Sequence, residues 1–385
     1  AYADSVANAS ASIGGAASVH ASDSVSVVAR VNAQDIKNSA ESSATSNSSQ
    51  SSSNSDTSRQ AYSAGVAIGS YEHNALAEVG ANVTITAPRI GIYSDTRIPI
   101  RDSLLFGNTA PFDRWLGLSN ITGAIESITN VFDVFNGVSA AKAKSDESEG
   151  SIALSGSASF LKFKNTSRAL VDTSAKLNLS GSATGAWTTD NFQLADAVAA
   201  KTLLGVEYEA AKAAKTMNFA FDAPAQVKAT HDATLLFLGG PVIPTGSAEK
   251  GLGMALNDID VTSRAEAVVR EGVVIRGVDE TAGAGAPGSR TWTLGLAHAA
   301  PEVLVTSSNQ DKVISLTASS GNGATFGVNG SVSILTVDAS SRASVDDEAA
   351  VNTKKLDVDA TSSPVLWSLA GGINLSKGAS VGVGI

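Results

Sequence analysis

Four histidines, His20, His73, His231 and His298, are the only imidazoles in the chain. A compact zinc site needs two such ligands within a few residues of each other on one helix or hairpin. No two of these four lie within a helical turn, and no His-Glu-x-x-His run occurs. There are no cysteines, which rules out disulfides and thiolate metal sites. Each histidine therefore reads as a turn or surface residue. A Ser-His-Asp relay can assemble from distant segments, but no Gly-x-Ser-x-Gly elbow is present to hold a nucleophile between a strand and a helix.

Carboxylates are densest at Asp346-Asp347-Glu348, at Asp279-Glu280 and at Asp258 with Asp260. Calcium needs six to eight converging oxygens, and no glycine-aspartate nonapeptide repeat supplies them. These groups read as turn caps and solubilising charges, with a weak calcium site as the alternative. Arg89, Arg97 and Arg101 lie near Asp95 and Asp102. Acidic polysaccharide cleavage of the pectate-lyase type needs Asp, Arg and Lys on one face, and this is the cluster that could supply it. The alternative is the solvated start of an insertion. The run Ala282-Gly283-Ala284-Gly285-Ala286-Pro287-Gly288 lacks the Lys-Ser/Thr ending of a phosphate loop and reads as a flexible surface loop. The expectation is no catalytic constellation, no metal and no organic cofactor.

The elements carrying these residues follow from composition and repetition. The chain has 385 residues, 5% aromatic and 17% charged, with a net charge of −10. Ala, Ser, Gly, Val, Thr and Asn dominate. So few large side chains suit a narrow core built of stacked repeats better than one compact globule. The acidic balance argues against nucleic acid, which needs clustered Lys and Arg. It suits a soluble, self-repelling surface protein, and absence of Cys suits an oxidising exterior. No apolar run approaches the ~18 residues of a membrane helix. With no initiator Met or leader at residue 1, and a strand-like end at Ser380–Ile385, the sequence reads as an interior segment of a longer chain.

An apolar-x-apolar-x-small pattern recurs five times: Val83–Ala87, Leu177–Gly181, Ile259–Ser263, Val303–Ser307 and Leu356–Ala360. Alternation at period two fits a strand with one buried face. Similar flanks precede three copies, at Asn74–Val79, Ser167–Asp172 and Ser341–Asp346. Stacking such units buries the apolar faces and satisfies the strand edges. Residues 38–60 are rich in Ser and Asn, and read as a linker or as a polar outer face of stacked side chains. Trp115, Leu118, Ile121, Ile125, Ile128, Phe132 and Phe135 form a stripe at helical spacing. It reads as a helix folded on the repeat flank or as an interaction face for a neighbouring chain. Leu194 to Met217, rich in Ala, Lys and Glu, reads as a second helix.

At Ser368–Ile373, Gly378–Gly384, and Arg342–Val345 leading to Leu356–Ala360, the chain resembles the repeats of giant bacterial surface proteins. The groups it resembles are the filamentous-haemagglutinin-like adhesins and autotransporter passenger domains. That resemblance implies a right-handed parallel β-helix, export, and a role in attachment, aggregation or matrix building.

The expected fold is all-β dominated: a right-handed parallel β-helix (β-solenoid) with helical insertions near 113–137 and 194–217. Solenoid coils are expected over 1–96, 151–193 and 251–385, with insertions over 97–150 and 194–250. Coils of about 20–25 residues would make a rod on the order of 60 Å long. Val83, Ile85, Leu177, Leu179, Val303, Val305, Leu356 and Val358 should point inward. The expected function is a structural or adhesive segment of a secreted cell-surface protein. Alternatives are a self-assembling extracellular fibre and a polysaccharide-degrading enzyme. Expected partners are further repeats, identical chains, or a host receptor or glycan, with no nucleic acid and no membrane insertion.

Overall fold

The computed structural model describes residues 1–33, 36, 38–45, 60–98, 100–101, 139–146, 152–181, 187–203, 206–242, 249–282, 292–320, 323, 325–373 and 379–385. Among these residues there are strands and no helix. Sheet A contains β1 (Tyr2–Ile13), β5 (Gln60–Val79), β10 (Ile152–Val171), β15 (Lys250–Val269), β19 (Phe326–Val345) and β23 (Ala379–Gly384), in that spatial order. Sheet B contains β2 (Ser18–His20), β6 (Thr84–Ala87), β11 (Lys176–Ser180), β16 (Val274–Ala282), β17 (Trp292–His298) and β20 (Ala350–Val351). Sheet C is built on β3 (Ser24–Asn32), β7 (Arg89–Ile98), β14 (Ala225–Val242) and β18 (Val303–Ser320). Both β21 (Leu356–Ser362) and β22 (Val365–Ile373) pair with β18, while β4 (Asn38–Thr45) and β9 (Ser139–Asp146) extend the β14 side. A small fourth sheet joins β8 (Ile100–Arg101), β12 (Trp187–Leu203) and β13 (Val206–Phe221).

The chain visits sheets A, B and C in turn, laying each strand parallel on the one before, except that β17 folds back antiparallel on β16. Tyr2 pairs with Ile68, Gln60 with Ile152, Ile152 with Lys250 and Lys250 with Phe326. With Phe326 also pairing with Ala379, one circuit takes between 53 and 98 residues. Six strands in sheet A, ~4.8 Å apart, make a stack only ~24 Å high.

The right-handed β-helix with helical insertions is thus corrected to three stacked parallel sheets. Circuits are several times longer than the expected coils because β5, β10, β15 and β19 each span 20 residues. Sheet B strands are short, so sheets A and C run on beyond the junction where all three meet. Residues 194–217 fall in an antiparallel pair, β12 with β13, and not in a helix. A spacing of four places two residues on one side of a helix and of a strand alike, so apolar spacing alone could not separate the two. The stretch 113–137 lies outside the described residues.

The five sequence copies are not equivalent either. Two lie on sheet B, where Ile85 pairs with Leu177; two on sheet C, where Val303 pairs with Leu356; and one on sheet A. Six of the eight residues expected inside are fully buried: Val83, Ile85, Leu177, Leu179, Val303 and Val305. Leu356 and Val358 share the inward rows of Val303 and Val305 but stay 45% and 43% exposed. No described strand lies beyond β21.

The core has two zones. Where three sheets meet, small and β-branched residues such as Ala77, Val79, Val83, Ile92, Leu177 and Val227 pack together. Beyond that junction, sheets A and C face each other alone and need larger fillers. Tyr71, Phe163, Leu235, Phe237, Ile259 and Val313 supply them. Tyr71 stacks on Phe163 at 4.6 Å between ring centres, and Phe163 meets Phe237 at 5.7 Å.

A column of near-identical turns carries the chain from sheet A to sheet B. Gly80 N–H donates to the Ile13 carbonyl, Asp172 to Val79, Arg270 to Val171 and Asp346 to Val269, each between 2.7 and 2.9 Å. Ala16, Asn82, Ser174, Gly272 and Glu348 occupy one position of this turn, all with φ between 54° and 69°. That left-handed region costs an L residue about 1–2 kcal/mol, less the entropy glycine loses on folding. Ser174→Gly should raise stability by about 0.5–1 kcal/mol. Gly272→Ala should lower it by about 1 kcal/mol or more, since its Cβ would also lie 3.3 Å from the Ser174 hydroxyl. Urea melts of both variants check the pair, and equal midpoints would contradict the assignment.

Candidate functional site

Of the arginine and carboxylate group singled out in the sequence, the structure joins Asp95 and Arg97 and adds Arg30. Arg30, Asp95 and Thr230 occupy one row across β3, β7 and β14. Asp95 is fully buried and forms an ion pair with Arg30, whose side chain is 3% exposed, and with Arg97 Nε at 3.1 Å. The Thr230 hydroxyl donates to Asp95 Oδ1 at 2.5 Å and lies 3.0 Å from the Tyr93 hydroxyl. Burial pushes the Tyr93 phenol up to about 12, with the Asp95 charge adding to it. Burial also lowers the Arg30 pKa from its ordinary value, against the pull of Asp95. Lys228 Nζ sits 5.9 Å from the Tyr93 ring centre, and Phe221 meets that ring edge-on. Arg89 stands eight positions before Arg97 along β7, roughly 26 Å away. Arg101 lies on β8, and Asp102 lies outside the described residues. Arg89 and Arg97 do not converge on one groove. Arg30 was missed because its link to Asp95 is a strand register, which local spacing does not reveal.

A second buried cluster lies between sheets A and C. His231 Nε2 donates to Asp311 Oδ1 at 3.0 Å, and the Ser263 hydroxyl donates to the other carboxylate oxygen. Asn309 donates to the Ser263 carbonyl at 3.1 Å and to the Ser340 carbonyl at 2.9 Å. Serine, histidine and aspartate do come together here, but with the aspartate in the middle. A nucleophile relay needs the imidazole between the other two. All three residues are also sealed from solvent. The arrangement ties two sheets together and does not activate the serine. In the same row of sheet A as Ser263, in the next two layers, His73 Nδ1 meets Asn165 Oδ1 at 2.8 Å. Burial lowers the His73 pKa, and His231 adds to that shift.

The remaining candidates are dispersed. His20 lies on β2, and His298 Nδ1 donates to the Ala299 carbonyl at 3.0 Å with its Nε2 3.6 Å from Asp279. Asp346 and Glu348 belong to the last turn of the column, and Asp260 pairs in register with Lys162 on the outer face of sheet A. Among the described residues no three His, Asp or Glu side chains are grouped to hold a metal. Trp115, Leu118, Ile121, Ile125, Ile128, Phe132 and Phe135 lie outside the described residues.

The outer face of sheet A divides along its strands. Its first half is apolar, with a shallow groove of about 410 Å³ over Ala64, Gly156, Ala158 and Gly330, flanked by Val66 and Met254. Its second half is charged and cross-linked from layer to layer. Lys164 pairs with Glu72 at 3.2 Å, Arg168 with Glu266 at 2.8 Å and Arg270 with Asp172 at 3.1 Å. Such a face can bind by area and charge; it positions no reacting group. No family model matches the chain, and no curated protein or solved structure is detectably similar to it.

Two predictions follow from the buried clusters. Asp95→Asn removes the carboxylate that two guanidinium groups face, and should cost about 3–5 kcal/mol in urea unfolding. A loss under 1 kcal/mol would mean that Arg30 is neutralised elsewhere. His73 has a folded pKa below its ordinary value near 6.5, so between those two values the unfolded chain binds more protons. Its contribution is fully present above about pH 6.5 and is lost as the pH falls toward the depressed value. Wild type should therefore lose more stability than His73→Gln between pH 7.5 and 5.5. Identical slopes for the two would refute this.

Proposed function

We propose that the chain is a structural, adhesive segment of a large secreted bacterial surface protein, serving attachment, aggregation or matrix building. The observation that carries this reading is register. Four 20-residue strands lie residue for residue upon one another without a slip, which makes a stiff block able to hold a binding surface away from its anchor. Further support comes from where the strongest chemistry lies. Asp95, Asp311, His231 and Ser263 are spent on internal contacts, while the broad face offered to solvent is half apolar groove and half ion-pair ladder. The cysteine-free, acidic composition suits an extracellular setting.

A second reading, a self-assembling extracellular fibre, is favoured by the apolar half of the outer face of sheet A, where Val66, Met254 and Ile334 stand exposed. Immunogold labelling of intact cells of the source organism should place the chain outside the cell. Isolated rods would favour an adhesive stalk, whereas ordered filaments or lattices would favour the fibre. Purified chain incubated with acidic polysaccharides should leave them uncut. Cleavage that disappears in Arg97→Ala would overturn the structural reading in favour of an enzyme.

A further inference from the structure

The outward side chains of β5, β10, β15 and β19 alternate with buried ones along each strand. Over Tyr62–Val66, Leu154–Ala158, Leu252–Leu256 and Val328–Val332, which lie side by side in register, none of these outward residues is charged. Further along the same strands Glu72, Lys164, Arg264 and Asp338 take the outward positions. The uncharged patch faces sideways from the stack, so layers added above or below would lengthen it and leave it open. Met254 is 60% exposed there, and Tyr62 57%. Nine residues of strand run ~30 Å and four layers span ~19 Å, so the patch covers ~570 Å². Contiguous apolar surface beyond a few hundred Å² marks a contact site.

The patch also has relief. Gly156 lies on the floor of the groove, and a Cβ added to it would meet nothing within 4 Å. Beside it in the next layer stands Met254, the most exposed large apolar side chain on these four strands. Two such faces can meet about a two-fold axis lying between them, along the stack or along the strands. An axis along the stack sets Met254 on Met254 and Gly156 on Gly156, knob on knob and hollow on hollow. An axis along the strands, midway between β10 and β15, sets each copy's Met254 into the hollow over the other's Gly156. The same operation brings Lys162 across from Asp260 twice, since the two share a row. Lys250 and Asp258, the charges nearest the centre of the patch, stand at its two ends, on the rim.

We infer that two copies of the chain pair face to face through the apolar half of sheet A, about the axis that runs along the strands. This rests on the structural reading above and names its partner. The two sheets lie ~10 Å apart with their strands crossing at about 30°, as aligned twisted sheets do. Together the copies cover ~1,100 Å², above the ~1,000 Å² that a specific contact needs. Because the operation is a two-fold, the contact closes on itself as a dimer. The axis reverses the order of the layers, so the two stacks run antiparallel, the orientation in which copies held on facing surfaces meet.

The test uses the 385-residue chain. Sedimentation velocity between about 1 and 100 µM should show a monomer giving way to a dimer. Met254→Lys should weaken the dimer roughly 30-fold or more, as loss of a contact at the centre of an interface does. Gly156→Met sets knob on knob and Met254→Ala hollow on hollow, so each alone should weaken pairing. The two combined exchange knob and hollow, and should recover most of the loss. A chain monomeric at about 100 µM would overturn the inference, leaving the patch to a segment of this chain or to a different molecule. Association that ignores Met254→Lys would overturn it too, and so would a double variant no better than the singles. If Gly156→Met fails to fold, Met254→Lys decides alone, since that side chain is exposed in one copy. Cleavage of polysaccharide would sink the structural reading and leave the pairing standing; a monomer that cleaves nothing would do the reverse.

Discussion

A strand in a parallel sheet points its N–H and C=O groups at the layers above and below, and both must be met. In this chain that demand governs almost everything else. Once β5 runs for 20 residues, β10, β15 and β19 must run for 20 as well, at the same register, or leave backbone groups unmet. The connections between strands are under no such demand. Circuits range from 53 to 98 residues while the strand rows stay matched, because the surplus is taken up in segments between sheets.

The same repetition explains how so polar an interior is tolerated. A buried hydroxyl or amide is costly without a partner; at some positions stacking provides one at a fixed place, while the hydroxyls of Ser155, Ser157 and Ser159 have none. The Ser94 hydroxyl donates across the core to the Ala75 carbonyl at 2.9 Å, and Ser307 donates to Ala265 at 2.8 Å. Ser94 and Ser307 share a row two layers apart, as do Ala75 and Ala265, so one solution is used twice. Ser167 and Ser341 each donate to the serine across from them. Close approach of the sheets also fixes certain glycines: a Cβ on Gly239 would collide with the Asn257 amide, and one on Gly372 with that of Asn329. Asp95 is the most demanding case, and its row neighbours Arg30 and Thr230 meet it from the layers on either side.

Strand alternation, the parallel stacking and six inward residues were legible in the sequence because they depend on period two alone. So was the likeness between Ser167–Asp172 and Ser341–Asp346, which mark the same turn on different layers. The equivalent stretch Arg264–Arg270 went unread because Glu266 stands where those copies carry Arg168 and Arg342; the change of sign is what lets it pair with Arg168. Circuit length was not legible, since corner turns and motif copies from different sheets look alike. Leu194–Met217 was misread because helix-favouring residues in a strand pair keep their composition, and the pairing that overrides it is not local. The Arg30–Asp95 contact has no local signature at all.

The hydrogen bonds that join the layers run along the stack axis. Tension applied along that axis therefore loads one inter-layer seam at a time, as in opening a zipper, and does not shear many bonds together. A layer that parts would release its whole circuit, from 53 to 98 residues, or roughly 170–350 Å of extended chain. Such a block stays stiff until a layer parts and then lengthens in large discrete steps, each step absorbing work that would otherwise reach the attachment point.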